Sequence, residues 1–217
     1  MNNAHHNIIG LILAGGEGRR FGGLDKGLQD YKGQPLIEYA IDSLKQQTDN
    51  IIISVNRNHS VYEQYGLDLV SDSELKAIGE SQADFQGPLA GLMASIPLLQ
   101  QYQKDYVLLA SCDSPNLTND YALKLKNELE NSTAIAAVVH DGKRRQNMHC
   151  LLRCEALLPS KETSKVSSKT TQSIQEFYQN GGRALYRWFE KNEIIEVDFS
   201  KQTDCFLNIN TREQLQT

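Results

Sequence analysis

Ile8-Ile9-Gly10-Leu11-Ile12-Leu13-Ala14-Gly15-Gly16-Glu17-Gly18-Arg19-Arg20-Phe21-Gly22-Gly23-Leu24-Asp25-Lys26-Gly27 is the stretch from which the fold of this 217-residue chain is best read. Its first half is a run of Ile and Leu without polar alternation, the pattern of a strand buried on both faces of a parallel sheet. Its second half packs five glycines, Gly15, Gly16, Gly18, Gly22 and Gly23, among Arg19, Arg20 and Lys26. Glycine lets backbone N–H groups turn toward an anion and approach it closely, and the cations neutralise its charge. A strand that ends in such a turn predicts a phosphate site at the carboxyl edge of an α/β sheet.

Two familiar phosphate loops are excluded or weakened. No Gly-Lys-Ser/Thr follows, so the turn is not a P-loop, and Gly16, Gly18 and Gly22 miss the dinucleotide spacing G-x-G-x-x-G by one residue. A net charge of -5 argues against a general nucleic-acid or anionic-membrane binder. Cys112, Cys150, Cys154 and Cys205 show no C-x-x-C spacing and suit a reducing compartment. No signal peptide and no run near about 18 apolar residues appears, so a cytoplasmic location without membrane or nucleic-acid partners is expected. The length suits one α/β domain over residues 1–217.

The loop Leu13-Ala14-Gly15-Gly16, Gly18, Arg20-Phe21-Gly22-Gly23 and Asp25-Lys26 resembles the signature of nucleotidyltransferases with a sugar-nucleotide-transferase-like fold. Its Gly-Gly-x-Asp-Lys ending is similar to the molybdenum cofactor guanylyltransferase branch, which joins GMP from GTP to molybdopterin. Two further strings extend the resemblance along nearly the whole chain: Gly87-Pro88-Leu89-Ala90-Gly91 and the closing Asn208-Ile209-Asn210-Thr211. It implies a three-layer α/β/α Rossmann-like domain with a mostly parallel central sheet. About 1–115 would bind nucleotide and about 116–217 the acceptor.

The remaining chain fits that plan. Leu36, Ile37, Ala40, Ile41 and Leu44 fall on one helix face, and Asn50–Asn56, Leu67–Val70, Asp105–Ser111, Ala134–Val139 and Ile194–Phe199 read as strands. Ser54 and Asn56 fall at a strand's carboxyl end with groups suited to a base or ribose, and the resemblance implies that this end meets guanine. Asp72 follows the next strand, where a carboxylate could accept from guanine N1–H and N2–H. Read without the resemblance, Asn56-Arg57-Asn58 is a polar turn and Asp72 a loop cap.

Asp113 ends the central strand, and the resemblance makes it the ligand of Mg²⁺, a hard cation that nucleotide sites hold through one or two carboxylates plus the phosphates. Capping of the helix expected from about Thr118 to Glu130 is left to Thr118 and Asn119. Lys143-Arg144-Arg145 is either a solvated hairpin tip or a partner for an acceptor phosphate. The following Gln146-Asn147-Met148-His149 lacks the Pro of relatives, and neither His140 nor His149 is given a catalytic role. The Ser/Thr/Lys-rich stretch 159–172 reads as a mobile surface loop. Arg183 and Arg187, one turn apart, are candidates for the pterin phosphate, and Asn208 and Asn210 would face the acceptor. Arg212 stands where relatives carry Pro.

The expected reaction is GMP transfer from GTP to the terminal phosphate of molybdopterin or molybdenum-molybdopterin, with release of pyrophosphate. Catalysis is assigned to Arg20, Lys26 and Asp113. Leu13, Ala14, Gly15, Gly16 and Gly18 would hold the nucleotide with Ser54, Asn56 and Asp72. The alternatives are a related cytidylyl or sugar-phosphate nucleotidyltransferase, and a non-catalytic nucleotide-binding partner delivering cofactor to apo-molybdoenzymes or their chaperones.

Overall fold

The computed structural model describes residues 7–16, 18, 21–78, 87–159 and 172–216. Arg20 and most of 159–172 therefore lie outside the described residues. The strands are β1 (Ile8–Leu13), β2 (Asp30–Tyr31), β3 (Gln34–Pro35), β4 (Asn50–Ser54), β5 (Asp68–Val70), β6 (Tyr106–Ser111), β7 (Ala136–His140), β8 (Arg145–Arg153) and β9 (Ile194–Asp198). The helices are α1 (Leu36–Lys45), α2 (His59–Tyr62), α3 (Pro88–Tyr102), α4 (Tyr121–Glu130), α5 (Ile174–Gln179) and α6 (Leu185–Phe189).

Among the described residues, seven strands form one sheet in the order β5-β4-β1-β6-β8-β7-β9, with β2 and β3 a separate short ribbon. Pairs β5/β4, β4/β1, β1/β6 and β7/β9 are parallel, and β8 alone runs against its neighbours β6 and β7. The expected mostly parallel three-layer architecture is what the chain adopts. Along β1, Ile8 and Ile12 join a core with Ile37, Ile41 and Leu44 of α1 and Leu125 of α4. Ile9 and Leu11 join the opposite core with Leu89 and Leu92 of α3 and with Phe177 and Trp188 of α5 and α6. Alternate burial on both faces explains why the sequence shows a continuous apolar run.

Two details differ from expectation. The helix after Asp113 begins at Tyr121, with Asp120 at its N-cap and no side-chain cap bond, so Thr118 and Asn119 do not cap it. The basic run 143–145 sits at the tip of the β7–β8 hairpin with Lys143 and Arg144 exposed, as one of its two readings had it, and what was not expected is β8 itself, a nine-residue strand inside the sheet. Its register against β7 jumps from Val138↔Cys150 to Val139↔Gln146. Asn147, Met148 and His149 therefore bulge out of the ladder, and such a bulge re-aims side chains.

Candidate active site

A cleft of about 620 Å³ opens across the carboxyl ends of β5, β4, β1 and β6. It is within the range of small-ligand pockets. Leu13, Ala14, Gly15, Gly16, Gly18, Lys26, Ser54, Asn56, Asp72, Asp113 and Asn210, all named from sequence, line it. Phe21, Gly87, Pro88, Ser111, Cys112 and Met148 complete the wall.

The glycine turn is held from behind. Asn56 Nδ2 donates to the Gly15 carbonyl at 3.0 Å, and Arg57 Nη2 to the Gly16 and Leu24 carbonyls at 2.9 Å each. Arg57 Nη1 reaches the Gly23 carbonyl at 2.6 Å. The Gly18 carbonyl accepts from the Phe21 N–H at 2.8 Å and the Gly23 N–H at 3.0 Å. In a trans peptide the next N–H points opposite the carbonyl, so anchoring the Gly15 carbonyl turns the Gly16 N–H away from Asn56. Among the described residues the N–H groups of Gly15, Gly16 and Gly18 have no hydrogen-bond partner. Gly18 has φ +65°, and a Cβ there would sit 2.0 Å from the Leu24 carbonyl oxygen, so only glycine fits. The Ala14 N–H is different: it donates to the Ser54 carbonyl at 2.9 Å and continues the sheet.

Asp25, buried under the turn, accepts from the Gly27 N–H at 3.2 Å, the Tyr62 hydroxyl at 2.9 Å and Asn58 Nδ2 at 3.0 Å. Burial first, then nearby Cys112 and Asp25, push the Tyr62 phenol up, so it stays a donor. Arg212 Nη2 donates to the Phe21 carbonyl at 3.0 Å, tying the C-terminal segment to the turn.

Lys26 is thereby placed at the cleft's far end, where it pairs with Asp113. Its Nζ also donates to Asn210 Oδ1 at 3.2 Å and lies 5.4 Å from the Phe21 ring centroid. Ser111 donates its hydroxyl to the other Asp113 oxygen, and the Ile209 N–H donates to the Asp113 carbonyl at 2.9 Å. The two residues assigned to phosphate and metal meet across 87 positions of sequence.

At the opposite end, Asp72 follows β5. Its carboxylate accepts from Asn56 Nδ2 at 2.9 Å, and its N–H donates to Asn56 Oδ1 at the same distance. Ser71 donates to Asn56 Oδ1 at 3.3 Å. The Asn56 amide is thus spent on bracing Asp72 and Gly15, which makes it a strut of the cleft wall. Ser54 is buried against α3: a Cβ on Gly91 would fall 2.4 Å from its hydroxyl.

Arg183 is not brought to this cleft. Its guanidinium donates to the Tyr178 and Gly182 carbonyls at 2.8 Å each and lies 4.2 Å from the Tyr178 ring. With Arg187 and Lys191 it lines a separate hollow. Asn208 accepts from the hydroxyl of Ser114, the residue after Asp113, at 2.8 Å.

The model of the MobA-like NTP transferase domain matches residues 10–192. The chain belongs to that family. The transferase is 34% identical over 209 residues to a molybdenum cofactor guanylyltransferase of Histophilus somni strain 2336, covering 96% of this chain and 94% of the relative. It is 36% identical over 209 residues to the same-named protein of Shewanella piezotolerans, covering 96% and 90%. Among solved structures, molybdopterin-guanine dinucleotide biosynthesis protein A of Archaeoglobus fulgidus matches with a TM-score of 0.69 at 18% identity, covering 96% of this chain and 95% of that one. Rv0371c of Mycobacterium tuberculosis matches with a TM-score of 0.67 at 14% identity, covering 97% and 96%. These distant structures share the fold. The transferase is an enzyme of the nucleotidyltransferase class.

Sequence reading missed Arg57, Asp25 and Arg212 as builders of the transferase's site. Each acts on carbonyls or amides distant in sequence: Asp25 stood in the signature string without a role, Arg212 was noted only as a departure from relatives, and Arg57 was a cation beside Asn56 in a turn otherwise read as bland. Among the described residues no group of three or more His, Cys, Asp or Glu could hold a metal. No helix among them is long and apolar enough to cross a membrane.

Proposed function

We propose that the chain transfers GMP from GTP to the terminal phosphate of molybdopterin or its molybdenum-loaded form, releasing pyrophosphate, in the cytoplasm. The observation that carries this reading is the meeting of Lys26 and Asp113 beside a turn whose Gly15 and Gly16 carbonyls are held from behind by Asn56 and Arg57 and whose Gly18 carbonyl is held within the turn. Support also comes from the span of the cleft. Three inter-strand steps separate β5 from β6, about 14 Å, which matches the reach of a nucleoside triphosphate from base to phosphates. The base would lie toward Asp72, whose carboxylate accepts from guanine N1–H and N2–H, whereas cytosine offers acceptors there. The triphosphate would run beneath Gly15–Gly18 toward Lys26, with Arg20 a further candidate cation.

Asp113 fits Mg²⁺: it is a single hard-oxygen donor, part-buried on the cleft wall, and such sites complete the shell with substrate phosphates. When bound there the ion would offset charge on the triphosphate. The protein's own part is positional. The pair Lys26–Asp113 opens so that the ammonium faces phosphate oxygens, while Asn210 and the Phe21 ring keep the lysine in reach. One oxygen of the acceptor phosphate bonds to the α-phosphorus as the α–β bridging bond breaks, and its electrons leave with pyrophosphate. With a second phosphate pKa of about 6 the acceptor is already an anion, so no general base is needed. Catalysis then rests on holding two polyanions in line. Residues 1–115 would supply the nucleotide half of a single domain and 116–217 the acceptor half. Asn208 and Asn210 lie on the acceptor side, and Arg183 and Arg187 would act only if they turned from their hollow.

The test is pyrophosphate release by the purified protein with Mg²⁺, molybdopterin and either GTP or CTP. Release with GTP alone supports the reading. Release with CTP alone, or with sugar phosphates in place of molybdopterin, replaces it.

A further inference from the structure

His149 is fully buried, packed edge-on to Tyr121 and tilted against Phe206, with ring centroids 6.4 Å and 5.4 Å away. Its Nε2 lies 3.0 Å from the hydroxyl of Ser114, itself wholly buried. Ser114 in turn donates to Asn208 Oδ1 at 2.8 Å. A serine hydroxyl has one proton, and here Asn208 takes it. The Ser114···His149 contact therefore requires the imidazole to donate, which fixes the Nε2–H tautomer. Burial lowers the imidazole pKa to about 4 against the opposing charge of Asp113, so the ring is neutral and carries that one proton. Its Nδ1 is left buried without a partner among the described residues.

An apolar ring would fill this aromatic pocket without a stranded nitrogen, and an unpaired buried acceptor is costly. Packing alone does not account for a histidine here. What the ring does reach, through Ser114, is a segment flanked by the buried Phe206 and by Arg212 bound to the Phe21 carbonyl. Residues 207–210 pair with no strand of the sheet. Among the described residues they meet the site through the Ser114–Asn208 bond, the Ile209 N–H to Asp113 carbonyl bond, and Asn210 Oδ1 at Lys26.

We propose that His149 is a positioning residue for the transfer. By donating to Ser114 it commits the serine's only proton to Asn208, fixing 207–210, and with it Asn210, against the Lys26–Asp113 end of the cleft. The proposal rests on the transferase reading above. It follows from the β8 bulge, which sends Met148 to the cleft and His149 into the layer beneath.

Pyrophosphate release is measured for wild type, His149→Phe, His149→Gln, Ser114→Ala and the double variant that combines His149→Phe with Ser114→Ala, alongside the GTP-induced thermal shift. His149→Phe and Ser114→Ala should each lower kcat/KM for the acceptor roughly tenfold, as expected for one hydrogen bond lost in a constrained site, with a GTP shift still present because Lys26 keeps Asp113 and the Phe21 ring. Because both act through one chain of hydrogen bonds, the double variant should be no slower than either single one. His149→Gln, whose amide Nε2 can donate, should recover most of the rate. Wild-type turnover in His149→Phe, multiplying losses, or no rescue by His149→Gln would overturn the proposal. A second readout stands apart from catalysis: amide exchange at Ile209 should quicken about tenfold in His149→Phe, or in Ser114→Ala if the former does not fold. Unchanged exchange, or an Nδ1–H signal from ¹⁵N-labelled His149, also overturns it. An inactive wild type with these signatures intact would instead reject the transferase reading.

Discussion

Lys26 touches three chemically different neighbours: a carboxylate, an amide oxygen and an aromatic face. A part-buried ion pair is worth little net but costs much when halved, so either partner matters through charge placement more than through stability. Lys26→Ala or Asp113→Asn should each lower the transfer rate by about 10²-fold or more while far-UV circular dichroism stays native. Near-normal turnover in either would remove both from the mechanism. Arg57 acts differently, since only a planar fork reaches the carbonyls of Gly16, Gly23 and Leu24 together. Arg57→Lys should weaken GTP binding about tenfold by calorimetry, the equivalent of one or two lost hydrogen bonds. His149 carries a pH prediction. Its pKa of about 4 in the fold lies below the ordinary 6.5, so its contribution to stability is complete above pH 6.5 and is lost as pH falls toward 4. By pH 5 the loss is about 2 kcal/mol. Urea midpoints measured at pH 7.5 and pH 5 should therefore converge partly in His149→Phe.

At the scale of elements, the cleft wall depends on how closely α3 meets the ends of β1 and β4. Alanine normally improves a helix interior over glycine by up to about 1 kcal/mol. At Gly91 its methyl would meet the Ser54 hydroxyl at 2.4 Å and Leu13 Cδ2 at 2.9 Å. Overpacking of that kind costs roughly 1–3 kcal/mol, so Gly91→Ala should destabilise the protein and shift the cleft wall, seen as a lower urea midpoint and weaker GTP binding. The strands β1, β4, β5, β6, β7 and β9 were legible in the sequence, most plainly β1, β4 and β6, where burial on both faces leaves an unbroken apolar run. β8 was not. Its first half, Arg145-Gln146-Asn147-Met148-His149, is polar because it borders the cleft and bulges, and that polarity hides a strand. The glycine turn was legible from its own composition, and Lys26 and Asp113 from motif resemblance. The helix start at Tyr121 and the roles of Arg57 and Asp25 were not, because they are settled by contacts between distant segments.

Over the whole molecule, the seven-stranded sheet does one thing for the site: it sets Asp72 and Asp113 at the ends of strands three steps apart, with the glycine turn between them. The parallel half supplies the edge along which the cleft opens, and the antiparallel β8 with the segment 207–210 closes the far side. The overall charge of -5 leaves the cations to act locally, where Arg57 and Lys26 concentrate beside the turn. The distant solved structures agree with this arrangement at the level of fold. A crystal structure of the protein soaked with GTP and Mn²⁺, the metal located by anomalous scattering, tests the site most directly. Expected is guanine at Asp72, the triphosphate beneath Gly15–Gly18, and the metal on Asp113 with Lys26 turned to phosphate. A nucleotide seated instead in the Arg183–Lys191 hollow, or a metal remote from Asp113, would contradict it.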